Sequence, residues 1–185
     1  MILLRHGQSE FNAVFTLTRK DPGIHDPKLT PLGKEQAEAA AEALAHEGLT
    51  RILASPYTRA LQTAEPVARR LGLPVMVSPV VRERYAFTCD VGSPCSRLSA
   101  AWPEHDFSHI EEVWWPQTEE SADAVLARAA LFRAEMTALP DWRDTVVVCH
   151  WGFIMSLTGL SVQNGQWLRF DPTAAPPAEV LWRHA

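Results

Sequence analysis

Residues Thr145-Val146-Val147-Val148-Cys149 form an unbroken run of β-branched and apolar side chains, closed by the polar His150. A strand without polar alternation must be covered on both faces, which points to a largely parallel sheet wrapped by helices. The rest of the chain supplies what such a sheet needs. Ile2-Leu3-Leu4, Arg51-Ile52-Leu53-Ala54 and Val75-Met76-Val77 are short apolar runs that stop at polar or turn residues. Thr30-Pro31 reads as the N-cap and first residue of a helix through Lys34 to His46, stopped at Gly48. Ser55-Pro56 repeats that start for a helix reaching Leu71, closed by Gly72 and Pro74. A further helix begins after Thr118 or Ser121, sets Val125, Ala129, Phe132 and Met136 mostly on one face, and stops before Pro140. Asn164-Gly165, between the apolar flanks of Val162 to Phe170, predicts a two-residue hairpin. Strands alternating with helices imply an α/β fold, a three-layer sandwich with a mainly parallel central sheet flanked by helices.

The 185 residues are expected to form a single domain over 1–185. Two stretches, 12–29 and 82–120, resist assignment; loops that long in a compact domain are usually functional or carry small elements of their own. Seventeen basic against 22 acidic side chains give a net charge of −5, so the chain offers no general field for nucleic acid or an anionic membrane. Cys89, Cys95 and Cys149 make an odd set without a disulfide framework, which fits a reducing cytoplasm. No apolar run reaches the length of a membrane span, and Met1 to Leu4 meets Arg5 too soon for a signal-peptide core.

Ligand-binding residues of α/β sheets gather beyond the carboxyl ends of the strands. Arg5 and His6 follow the first strand, Arg59 lies in the first turn after the second, Glu83 follows the third, and His150 follows the strongest. Two arginines, two histidines and a carboxylate suit phosphoryl transfer. Arginine forks bind phosphate oxygens bidentately, a neutral imidazole serves as nucleophile, and a carboxylic acid protonates the departing oxygen. No metal ion or other cofactor is needed where arginines neutralise the phosphoryl charge.

Four blocks, in order, carry a resemblance. Arg5-His6-Gly7, with Ser9 and Asn12 following, resembles the Arg-His-Gly signature of the histidine phosphatase superfamily, which includes the phosphoglycerate mutases. Leu29-Thr30-Pro31-Leu32-Gly33 with Gln36-Ala37 resembles that family's Leu-Thr-x-x-Gly-x-x-Gln-Ala helix start. Ser55 to Ala64 is similar to its Ser-x-x-x-Arg-Ala-x-x-Thr-Ala block, and Val146 to Gly152 to its second-histidine strand. The resemblance implies a phosphoglycerate mutase-like fold. It implies His6 as the phosphorylated nucleophile, Arg5, Arg59 and His150 as the phosphate pocket, Asn12 as a further phosphate contact, and Glu83 as proton donor and later activator of water. Gly7, Arg84 and Trp151 are candidate substrate contacts.

The implied activity is a metal-independent phosphomonoesterase for a small phosphorylated metabolite. A cofactor-dependent phosphoglycerate mutase, a phosphohistidine-protein phosphatase and a non-catalytic phosphate-binding domain are the alternatives. The mutases' Asn-x-Phe-x-Gly-Trp stretch is replaced by Val14 to Lys20, and Ala86 follows Tyr85 where they carry glycine; both departures favour a phosphatase. Oligomeric state is left open, a homodimer included. Glu104, Glu111, Glu112, Glu119 and Glu120 compete with Glu83 for the proton-donor role. Trp102, Trp114 and Trp115 belong to segment 82–120, expected to act as a lid over the phosphate pocket; packing a small core of that segment is the competing reading. His105 and His109 have the spacing of a helical zinc pair, but no helical periodicity surrounds them and no Glu lies between. The cysteine-phosphatase and P-loop signatures are absent.

Overall fold

The computed structural model describes residues 1–182, so the last three residues of the expected 1–185 domain lie outside it. Five strands, β1 (Ile2–Arg5), β2 (Arg51–Ala54), β3 (Val75–Val77), β4 (Thr145–Cys149) and β5 (Trp167–Arg169), form one sheet in the order β3-β2-β4-β1-β5. The first four are parallel, and β5 runs antiparallel to β1. β4 is central and buried along its whole length, as its unbroken apolar run requires.

The period-two alternation of the strands divides the core into two layers. Ile2, Leu4, Ile52, Ala54, Val146 and Val148 pack with Ala41, Leu44, Leu61 and Val67 of α2 (Pro31–Leu44) and α3 (Thr58–Leu71). Leu3, Val147 and Cys149 pack with Phe132, Phe153 and Leu157 of α5 (Ala122–Thr137) and α6 (Trp151–Thr158). Each Val, Leu, Ile or Phe among them, fully buried, contributes roughly 1.5–3 kcal/mol.

Several expectations change in detail. The helix after β2 starts at Thr58, and Ser55 does not cap it. Its cap comes from elsewhere in the chain: Asp26 accepts the Thr58 N–H at 2.9 Å and the Thr58 hydroxyl at 2.7 Å. The Asn164-Gly165 turn forms, but no hairpin does, because only the arm after it becomes a strand and that strand pairs with β1. The unassigned stretch 12–29 contains most of α1 (Glu10–Thr18), whose capping box joins Ser9 to Asn12. α6 also has no sequence signature, since seven of its eight residues are buried and it lacks a polar face.

Segment 82–120 holds α4 (Cys95–Ala101) between long irregular connections. Leu98, Trp102, Phe107, Ile110 and Trp114 join the same cluster as α2 and α3. Trp114 meets Tyr57 edge-on, with ring centroids 4.6 Å apart, and donates its indole N–H to the Ser93 carbonyl. Trp102 donates to Glu65 at 2.6 Å. Among the described residues, no helix is long and apolar enough to cross a membrane.

Candidate active site

Strand register brings the two histidines together. β1 and β4 are neighbours, Arg5 lies opposite Cys149, and the His6 N–H continues the ladder onto the Cys149 carbonyl at 3.0 Å. His6 and His150 therefore leave adjacent strands side by side, with ring centroids 5.1 Å apart. Both rings are buried, and both are held well below the ordinary histidine value, first by burial and then by nearby positive charge, chiefly Arg59. Each imidazole is neutral at neutral pH. The His6 Nδ1 lies 2.7 Å from the Gly7 carbonyl, which can only accept, so Nδ1 carries the proton and Nε2 keeps its lone pair.

The loop after β1 is set by close backbone approach. A Cβ on Gly7 would lie 2.2 Å from the Gly33 carbonyl oxygen, and one on Gly33 would lie 2.0 Å from that of Gln8. The Gln8 N–H donates to the Gln36 side chain at 2.8 Å, and Thr30 caps α2 at Gly33. The block from Leu29 to Ala37 thus serves as the bed on which Arg5 to Gln8 rest. Gly7 itself is occupied by the protein: its N–H donates to Thr63 at 3.0 Å, and its carbonyl faces His6.

Arg5 donates to the Val162 carbonyl at 2.7 Å, and burial lowers its guanidinium to about 10, with Glu83 opposing that shift and Arg59 adding to it. Arg59, 3% exposed, lies over the Tyr57 ring at 4.2 Å and donates to the Cys89 carbonyl and to Asp90. Six buried side-chain polar atoms among the described residues lack a protein partner, and four of them, Arg5 Nε, Ser55 Oγ and both nitrogens of His150, sit at the carboxyl ends of β1, β2 and β4. Each such atom costs about 1–3 kcal/mol, so their concentration at one sheet edge points to a polar ligand that would meet them there.

Glu83 hangs between two backbone donors, the Arg84 N–H at 2.8 Å and the Gly152 N–H of the first turn of α6 at 3.1 Å. Arg128 of α5 pins the chain leading to it, donating to the Val80 and Arg82 carbonyls, while Glu120 holds Arg128 at 2.6 Å. Of the competing carboxylates, Glu120 is committed to Arg128 and Arg82, Glu119 to Arg84, and Glu112 to Ser96. Asn12 accepts from the Ser9 backbone and hydroxyl and from Asn164, so its amide NH2 is what remains for a ligand.

Two cavities meet at Trp151. One, of about 100 Å³, is lined by Arg5, Asn12, Arg19, Gln163 and Asn164. The other, of about 350 Å³, is lined by Glu83, Arg84, Phe87, Gly152 and Trp182. Arg84 stands at the rim of the larger one, bonded to Glu119 and to the Glu120 carbonyl and lying over Trp182 at 4.9 Å. No cluster of three or more candidate metal ligands occurs among the described residues, and His109 is bonded to the Val77 carbonyl.

A family profile, histidine phosphatase superfamily (branch 1), matches residues 1–180. The chain belongs to the histidine phosphatase superfamily. Its relatives include the glucosyl-3-phosphoglycerate phosphatase of Mycolicibacterium vanbaalenii, 34% identical over 99% of this chain and 91% of that protein. The protein of the same name from Mycobacterium tuberculosis is 33% identical over the same shares. A solved mycobacterial glucosyl-3-phosphoglycerate phosphatase, in complex with VO3, superposes with a TM-score of 0.64 at 29% identity, covering 90% of this chain and 88% of that one. A probable phosphoglycerate mutase from Photorhabdus laumondii matches at 37% identity over only 44% of the chain and 36% of its own length.

Within this histidine phosphatase, the sequence signals and the geometry converge on His6, His150, Arg5, Arg59 and Glu83. Sequence reasoning missed Asp90, Asn164 and Asp26. Asp90 and Asp26 carry no motif, and Asn164 signalled only a turn, although its side chain donates to the His6 carbonyl at 3.1 Å and to Asn12.

Proposed function

We propose that this phosphatase is a metal-independent phosphomonoesterase that works through a phosphohistidine on His6, with a small phosphorylated metabolite as its partner. The observation that carries the reading is the neutral His6 ring, proton on Nδ1 and lone pair on Nε2, at an edge shared with His150, Arg5 and Arg59. His6 Nε2 forms a bond to phosphorus as the P–O bond to the leaving group breaks, and Glu83 gives that oxygen a proton. The Glu83 carboxylate then takes a proton from water. The resulting nucleophile attacks phosphorus, the P–N bond breaks, and phosphate leaves. Arg5, Arg59, His150 and the Asn12 amide stabilise charge on the phosphoryl oxygens throughout.

The leaving group occupies the cavity of about 350 Å³, because Glu83 opens onto it. Its Phe87, Trp151 and Trp182 walls suit the apolar face of a sugar, and Arg84 suits a carboxylate. A glycosylated phosphoglycerate, the substrate class named for the mycobacterial relatives, has both features. The free thiols of Cys89, Cys95 and Cys149 support a reducing cytoplasm as the site of action.

The test is phosphate release from glucosyl-3-phosphoglycerate, sugar phosphates, phosphoglycerates, nucleotides and phosphopeptides with a chelator present. Glucosyl-3-phosphoglycerate should be turned over with the highest kcat/KM, and an alkaline detergent quench with labelled substrate should trap a base-stable, acid-labile phosphoenzyme that His6→Ala abolishes. Activity that depends on added metal, or survives in His6→Ala, counts against the mechanism.

A further inference from the structure

We propose that Asp90 is a positioning residue for phosphoryl transfer: its buried carboxylate holds the Arg59 guanidinium in its working orientation and ties that orientation to the loop walling the leaving-group cavity. The proposal rests on the reading of Arg59 as a phosphate ligand and names the group that holds this ligand in place.

An arginine side chain carries about 2 kcal/mol of rotamer entropy, so a useful phosphate fork needs something behind it to fix its direction. Here three groups do so. Asp90 Oδ1 accepts from Arg59 Nη2 at 3.2 Å, the Cys89 carbonyl accepts from Nη1 at 2.8 Å, and the guanidinium carbon lies over the Tyr57 ring at 4.2 Å. Those two acceptors use two of the five guanidinium N–H groups and leave three for phosphoryl oxygens.

The second oxygen of Asp90 points the other way. It accepts from the Ala86 and Phe87 N–H groups, each at 3.1 Å. Ala86 and Phe87 line the same cavity as Glu83 and Trp151. The Asp90 carbonyl in turn accepts the Tyr57 hydroxyl at 2.5 Å. The carboxylate thus connects the phosphate fork to the wall of the leaving-group pocket, and the main chain of the same residue holds the aromatic ring beneath the fork, which aligns the phosphoryl end of a substrate with its leaving group.

The side chain is 2% exposed, and burying a carboxylate is unfavourable unless every lone pair is met. Burial raises its carboxyl to about 6 against the pull of Arg59, while burial works against the Arg59 charge and the surrounding acidic groups, Asp90 among them, outweigh it and keep Arg59 above its ordinary value. A buried ion pair is weak support for stability, whereas a direction imposed on a catalytic cation is something an apolar pair cannot supply. Asparagine is no substitute either. Its NH2 must face the guanidinium or the two backbone N–H groups, donor against donor in both cases.

The test is a double-mutant cycle on the full chain with Asp90→Asn, Arg59→Ala and the double variant. The readouts are kcat/KM on p-nitrophenyl phosphate and thermal melts with and without inorganic phosphate. Asp90→Asn should lower kcat/KM by about ten- to a hundredfold in the wild-type background and weaken the phosphate-induced rise in Tm. In the Arg59→Ala background it should change kcat/KM by less than about twofold and raise Tm, because it removes a carboxylate left unpaired. Equal losses in both backgrounds, or wild-type kcat/KM in Asp90→Asn, overturn the proposal. If Arg59→Ala loses activity and Asp90→Asn does not, only the positioning role falls; if Arg59→Ala keeps wild-type kcat/KM, the phosphate-ligand reading falls with it. Should Asp90→Asn fail to fold, Asp90→Glu moves the charge one methylene. A loss of about fivefold or more at wild-type Tm supports the proposal, and wild-type kcat/KM overturns it.

Discussion

Gly152 and Glu83 are matched at the backbone: the Gly152 N–H donates to Glu83 Oε2 at 3.1 Å, and a Cβ on Gly152 would stand 2.4 Å from Glu83 Oε1. Any side chain at 152 must therefore displace the carboxylate. Gly152→Ala is expected to lower kcat on alkyl phosphates by about a hundredfold, since a shift on the order of 1 Å in a proton donor has that effect. Unchanged turnover of an alkyl phosphate would mean that Glu83 tolerates displacement and does not act from this position.

Glu83→Gln keeps the volume, removes the transferable proton and gives up one of the two backbone N–H contacts, because its NH2 only donates. Alkyl phosphates need a proton on the leaving oxygen, whereas nitrophenyl phosphates do not, so the alkyl substrates should lose about 10²–10⁴-fold and p-nitrophenyl phosphate far less. Steady-state kcat/KM on both substrates decides it, because hydrolysis of the phosphoenzyme, in which Glu83 acts as base, is common to both and does not enter that ratio. Equal losses remove Glu83 from the proton-donor role.

Acid should destabilise the fold through His6 and His150. Both are held well below the ordinary value near 6.5 when folded, first by burial, so on acidification protons bind the unfolded chain before the folded one. Stability is then full above about pH 6.5 and falls as pH drops below it. The loss from pH 7.5 to 6 is on the order of 1.5 kcal/mol, or roughly 3–6 °C in Tm. Melting curves across that range provide the measurement, and a His6→Asn, His150→Asn double variant should flatten them.

Glu120 should matter more to folding than its place in an irregular segment implies. It is buried and holds Arg128 at 2.6 Å and Arg82 at 3.0 Å. Glu120→Ala strands Arg128 in the interior, at an expected 3–5 kcal/mol, roughly. Urea unfolding gives the number, and a loss below about 1 kcal/mol would show that solvent reaches the pair.

Trp114→Ala removes a buried indole packed edge-on against Tyr57. A loss of about 3–5 kcal/mol is expected, with kcat/KM on p-nitrophenyl phosphate changed little in the fraction that stays folded. A shifted substrate profile at unchanged Tm would place Trp114 in the substrate site instead.

The elements legible in the sequence were those whose signals are local. The apolar run of β4 called for burial on both faces, Thr30-Pro31 marked the start of α2, and Arg5-His6-Gly7 and His150 announced themselves at strand ends. α1 was hidden because its capping box uses Asn12 in place of Glu or Gln, and α6 because it is apolar all round. What only the tertiary structure decided was adjacency. Nothing in the local pattern says that β1 and β4 are neighbours, yet that pairing puts the two imidazoles 5.1 Å apart and lets burial and the two arginines hold both neutral. Nor does it say that Asp90, 31 residues beyond Arg59, meets its guanidinium, or that Asp26 caps α3. Hydrogen bonds between distant segments follow from how the loops close over the sheet, and a chain with ordinary turn residues leaves no periodic trace of where they land. The motifs named the reacting groups; the packing set their charge, their direction and the company they keep.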